Sequence, residues 1–101
     1  MKLRSGIEIP TAPIEAICRR FHIRELAVFG SAVRGDFHAD SDIDIMIEFE
    51  AGSHPGLGWF DLEEELETVF CRKVDLGQKA LLRPRVLREA EREAVVLYVA
   101  A

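Results

Sequence analysis

The chain has 101 residues, 49% of them apolar, a formal net charge of −5 and two cysteines. That length accommodates one compact core without help from disulfides and leaves no room for a second domain. The acidic balance argues against a domain whose main business is neutralising nucleic-acid phosphates, and no stretch is apolar enough for a secretory leader or a membrane span.

In chain order, Pro10 to Phe21 sets Ile14, Ile17, Cys18 and Phe21 at offsets of three, four and seven, the stripe of an amphipathic helix. Thr11 and Pro13 suit its first turn. Glu25 to Gly30 holds Leu26, Ala27, Val28 and Phe29, an apolar run that predicts a buried strand ending at a glycine. Ser31 to Gly35 is long enough for one helical turn. Ile43, Ile45, Ile47 and Phe49 then alternate with Asp42, Asp44, Met46 and Glu48, which makes the clearest strand in the chain, apolar on one face and largely acidic on the other.

Glycines and a proline between Ala51 and Gly58 mark a loop too short to be an interdomain linker. A helix from Trp59 to about Cys71 follows, with Trp59, Leu62, Leu66, Val69 and Phe70 inward and Asp61, Glu63, Glu64 and Glu67 on the wet side. Val74, Asp75 and Leu76 make a third short strand. Arg83 to roughly Glu93 is a last helix, with Pro84 in its first turn and Val86, Leu87 and Ala90 inward. Ala94 to Val99, rich in β-branched and aromatic residues, is assigned to an edge strand rather than to an extension of that helix. Basic residues crowd the chain from Arg72 onward, which fits a solvated helix face. The alternation describes a single small α/β domain over residues 1–101, and the chain reads as cytoplasmic.

The acids carry the chemistry. A side-chain period of two puts Asp42 and Asp44 on one face of their strand, roughly 6–7 Å apart at the Cα atoms. Ile43 and Ile45 point the other way and hold the pair rigidly. Two like charges so placed call for a cation or a retained proton. Magnesium suits them because it takes oxygen ligands and is usually held by a few carboxylates together with substrate phosphates. Asp75, between the apolar Val74 and Leu76, must also leave the core face, so the three acids can converge if their strands are neighbours. Such a group can clamp the oxygens of an in-line displacement while one member accepts a proton. Gly30 and Ser31 stand where a strand gives way to a helical turn, a place where backbone N–H groups meet phosphate oxygens. Arg34, one turn on, could reach phosphate or a partner.

Gly30, Ser31, ten intervening residues and Asp42-Ile43-Asp44, within VFGSAVRGDFHADSDIDIMIEF, resemble the signature of the minimal nucleotidyltransferases of the DNA polymerase β-like superfamily. The resemblance extends through the acidic helix, the KVDL run containing Asp75 and the REAVVLY end at Arg92 to Tyr98. It implies a small mixed β-sheet flanked by helices, the palm-like nucleotidyltransferase fold. It implies further that Gly30 and Ser31 hold the triphosphate of ATP, and that Asp42, Asp44 and Asp75 bind Mg2+, two ions in all, with Asp75 as base. Cys71 departs from the pattern: relatives often carry glycine before the third strand, so the departure bears on turn geometry and not on the chemistry.

Relatives this short lack the domain that recognises an acceptor in larger members. Many resemble antitoxins that pair with an all-helical HEPN ribonuclease toxin and transfer AMP from ATP to a tyrosine of that toxin, and this is the leading expectation for the present chain. Two alternatives stand beside it: a non-catalytic antitoxin whose acidic face occludes a partner, and a nucleotidyltransferase acting on a small-molecule hydroxyl. Neither membrane nor direct nucleic-acid binding is expected, while the exposed-looking ends of the sheet leave room for a homo-oligomer. His22, His38 and His54 are isolated and build no zinc site. Cys18 fits a core stripe and supports no thiol chemistry.

Overall fold

The computed structural model describes residues 1–35 and 41–101. The elements are α1 (Thr11–Arg20), β1 (Ile23–Phe29), α2 (Ser31–Arg34), β2 (Ile43–Phe49), α3 (Gly58–Phe70), β3 (Val74–Gln78), a 3-10 turn (Lys79–Leu81), α4 (Pro84–Glu93) and β4 (Val95–Val99). The strands form one mixed sheet in the order β3-β2-β1-β4. β1 pairs antiparallel with both β2 and β4, and β2 pairs parallel with β3. The last segment is thus an edge strand, as its β-branched composition predicts.

Alternation decides which side of the sheet each residue serves. Ile43, Ile45 and Ile47 of β2, with Leu26 and Val28 of β1 and Val74 of β3, face the main core with Ile14, Ile17 and Cys18 of α1 and Leu62, Leu66 and Phe70 of α3. Trp59 packs at its rim, its ring 6.5 Å from that of Phe49. Arg20 of α1 pairs with Glu65 of α3 across the surface of this layer. On the opposite side of the sheet α4 lies over Ala27 and Met46 through Ala90, with Phe29, Leu82, Leu87 and Ala94 around them. Val86, expected inward, is 42% exposed. The stripe that meets the sheet runs through Leu87, Ala90 and Ala94, and Val86 stands about 100° around the helix from Leu87.

One feature lies outside the sequence expectations, and a second settles the turn at Cys71 that they flagged. The first residues fold back through a Lys2–Glu8 bridge and bury Leu3 and Ile9 in the main core. Cys71 takes φ 56, ψ 34 at the C-cap of α3, so the left-handed turn for which glycine is the usual residue is made by a cysteine. Among the described residues no helix is long and apolar enough to cross a membrane.

Candidate functional site

The parallel pairing of β2 with β3 brings Asp44 directly opposite Asp75, while Ile43 and Val74 on one side of that pair, and Ile45 and Leu76 on the other, turn toward the core. Residues opposite each other in a ladder share a face, so both carboxylates leave the sheet on the α4 side. Asp42 sits immediately before β2, whose first N–H, that of Ile43, donates to the Lys73 carbonyl at 3.0 Å. Asp44 is half-buried, whereas Asp42 and Asp75 are exposed. Burial, first, and then the charges of Asp75 and Asp42 push the Asp44 carboxyl up to about 6; Arg34 opposes the rise and Glu93 adds to it. The three acids therefore act on one another electrostatically, and Asp44 is where the repulsion falls.

Gly30 completes the arrangement from the adjoining strand. β1 ends at Phe29, which pairs with Asp44, so the next residue lies beside that carboxylate. A Cβ added to Gly30 would stand 2.1 Å from Asp44 Oδ2 and 3.1 Å from its Cγ. The backbone there, φ 76 and ψ −151, belongs to a region occupied essentially by glycine alone. Both conditions exclude a side chain. Ser31 opens the single turn of α2, in which the Gly30 carbonyl accepts the N–H groups of Val33 and Arg34 at 3.0 and 3.1 Å.

Glu93 is the member of this neighbourhood that the sequence did not single out. From the end of α4 its Oε1 accepts the Gly30 N–H at 2.9 Å and an Arg34 guanidinium N–H at 3.0 Å. Arg34 is thus tied to α4. The partners lie 63 and 59 residues apart, and an acid at the end of a charged helix carries no local mark of such a role.

Other candidates fall away from the acids. His22 and His54 are exposed, and His38 lies outside the described residues. Cys18 is buried, and burial followed by the charge of Glu15 pushes its thiol up to about 12, which leaves it inert. A cleft of about 670 Å³ lined by His54, Trp59, Leu76, Leu81 and Leu82 includes none of the three acids. Among the described residues no three His, Cys, Asp or Glu side chains are gathered tightly enough to hold a metal ion by themselves.

The sequence profile of the nucleotidyltransferase domain family matches residues 13–97. The chain is 42% identical over 88 residues to the protein adenylyltransferase MntA of Thermococcus cleftensis, a stretch covering 86% of this chain and 87% of that protein. In fold it is similar to a chain of a toxin-antitoxin crystal structure with AMP-PNP, with a TM-score of 0.75 at 20% identity over 91% of this chain and 75% of that one. It is similar as well to a chain from the complex of an MNT antitoxin with a tri-AMPylated HEPN toxin of Shewanella oneidensis, with a TM-score of 0.64 at 17% identity over 89% of this chain and 70% of that one. At those identities the two structures bear on fold alone.

Proposed function

The chain belongs to the nucleotidyltransferase domain family and is a nucleotidyltransferase, and on that premise we propose that it transfers AMP from ATP to a tyrosine hydroxyl of a HEPN-type toxin, acting in the cytoplasm as the antitoxin of the pair. One observation carries the reading: the Cα of Gly30 lies hard against the carboxylate of Asp44, which in turn stands in register with Asp75. A phosphate seat and an acid pair thus occupy one corner of the sheet.

The roles follow from the chemistry of each group. Gly30, whose own N–H is held by Glu93, lets phosphate approach the backbone closely, and Ser31 takes the triphosphate oxygens, with Arg34 adding positive charge at the far end of the turn. Asp42, Asp44 and Asp75 fit magnesium, because they offer only oxygen, Asp44 and Asp75 share one face with Asp42 close enough to act on Asp44, and together they hold Asp44 at a raised pKa that a cation would relieve. Since they do not enclose an ion by themselves, substrate phosphates complete the ligand set. The cations, when bound, supply charge neutralisation at the attacking and leaving oxygens. In the transfer the acceptor oxygen forms a bond to the α-phosphorus, the bond from that phosphorus to the bridging oxygen breaks, and pyrophosphate leaves. Asp75, the exposed member of the opposed pair, accepts the proton of the acceptor hydroxyl at a carboxylate oxygen.

A protein acceptor suits the surface. Leu57, Phe60 and Leu81 are 89%, 69% and 75% exposed, and large bare apolar side chains of this kind serve protein contacts. The 42% identical relative is a protein adenylyltransferase, which supports the same acceptor class.

The test is to purify the chain with whatever protein accompanies it, add ATP and Mg2+, and weigh the partner. A gain of one or more AMP units, abolished by Asp42→Ala, Asp44→Ala or Asp75→Ala in folded protein, is the expected result. Partner neutralisation that survives those substitutions with no mass gain would instead support an antitoxin that acts by occlusion. Label appearing only on a small-molecule hydroxyl would replace the protein acceptor.

A further inference from the structure

Glu93 closes a ring of contacts around the phosphate-facing turn. Its Oε1 accepts from Gly30 N–H at 2.9 Å and from an Arg34 guanidinium nitrogen at 3.0 Å, and its Oε2 lies 3.3 Å from that same nitrogen. Between these two anchors runs α2, whose first-turn amides bond back to the Gly30 carbonyl. The Gly30 peptide is therefore held on both sides, by a carboxylate from α4 on its N–H and by α2 on its C=O. Only 24% of the Glu93 side chain is exposed, although the residue carries a charge and ends a helix otherwise rich in solvated ones.

That placement runs against simple charge complementarity. A carboxylate beside a triphosphate seat repels the substrate, so binding alone would favour its absence. Its geometric effect is different. Gly30 adopts this conformation freely but is as free to leave it, and among the described residues Glu93 is one of the groups that hold it there. If that turn relaxed, Gly30 would shift against Asp44, and the phosphate seat would lose its register with the acids.

We infer that Glu93 is a positioning residue for nucleotidyl transfer, one that clamps Gly30 and Arg34 together and so keeps the phosphate-binding turn aligned with Asp44. This rests on the function proposed above. Deleting the clamp removes a like charge from the substrate's surroundings and at the same time loosens the alignment, so kcat and KM part company.

The experiment measures initial rates of AMP transfer to the co-purified partner by the full chain, its Glu93→Ala and Glu93→Gln variants, and Asp44→Ala, each below its melting temperature. Glu93→Ala is expected to lower kcat by about ten- to a hundredfold, the size of a lost charge-assisted hydrogen bond, with KM for ATP unchanged or lower. Glu93→Gln keeps an oxygen able to accept from both Gly30 and Arg34, and is expected to recover most of the rate. If Glu93→Ala does not fold, Glu93→Asp carries the test, since it keeps the charge but withdraws it by one methylene, and the same fall in kcat is expected.

A lower melting temperature with kcat unchanged would make Glu93 merely structural, and a faster variant would make it a blocker of the seat; either result overturns the inference. With the wild type active and Asp44→Ala inactive, an unaltered Glu93→Ala overturns this inference alone. A folded wild type that transfers nothing removes the proposed function, and this inference with it.

Discussion

Replacing Gly30 by alanine tests the geometry at its tightest point. The new Cβ would lie 2.1 Å from Asp44 Oδ2, 3.1 Å from Cγ and 3.4 Å from Cβ, more than 1 Å inside an ordinary contact for the first atom. Asp44 cannot retreat by moving its backbone, because β2 is bonded on both sides, to β1 and to β3. Its carboxylate must swing away, or the Gly30 peptide must turn and give up its bond to Glu93. The backbone conformation itself, φ 76 and ψ −151, adds a strain of about 1–3 kcal/mol for any residue with a Cβ. A displacement near 1 Å at a reacting centre costs about a hundredfold in rate. Gly30→Ala is therefore expected to lose about 2–4 kcal/mol of stability, with strain and displacement combined, and about a hundredfold in transfer at saturating ATP. Chemical denaturation and initial-rate measurements read the two effects. A folded Gly30→Ala protein with a rate within about threefold of wild type, well short of the hundredfold cost of a displaced centre, would refute the reasoning.

Three further outcomes follow from the same structure. Asp44 holds its proton more tightly folded, near 6, than unfolded, near 3.8, so its contribution to stability is fully present below pH 4 and is lost as pH rises toward 6. Solvent screening at this half-exposed site reduces the loss to about 1–1.5 kcal/mol; in chelator, wild type minus Asp44→Asn should show that fall, and a flat difference would contradict it. Cys71→Gly should raise stability by about 0.5–1 kcal/mol, because about 1–2 kcal/mol of left-handed strain is relieved at the cost of some unfolded-state entropy; a denaturation midpoint moving downward would count against this account of the turn. A thiol reagent should modify exposed Cys71 in the native protein and leave Cys18 untouched until unfolding, since burial has pushed the Cys18 thiol up to about 12; equal labelling rates would show that the core is open at α1.

How far each element could be read from sequence depended on whether its signal was local. The alternation Ile43, Ile45, Ile47 marks β2, because one face of that strand is wholly apolar, although the strand begins at Ile43 and leaves Asp42 just outside it. β1 begins at Ile23, earlier than its apolar run suggests, since Arg24 and Glu25 lie on strand positions that need not be buried, and Arg24 reaches Glu48 at 3.6 Å on the next strand. The convergence of Asp44 with Asp75 was legible only as a condition, because strand order is not written in any one segment; the parallel register supplies it. Glu93 and the core positions Leu3 and Ile9 were not legible at all. Their roles come from partners far away in the chain, and nothing in their immediate neighbours sets them apart from a surface acid or an irregular end. Gly30 was legible as a turn, but its deeper constraint, the carboxylate occupying the space of its missing Cβ, belongs to the folded state.

The central claim is that this corner of the sheet moves a nucleotidyl group. Parallel reactions with ATP labelled at the α- or the γ-phosphorus, run with Mg2+ and the co-purified partner, address it directly. Nucleotidyl transfer places α-label on the partner, no γ-label, and none of either with Asp44→Asn. Stable γ-label on the partner, or α-label that persists undiminished in Asp44→Asn, would contradict it.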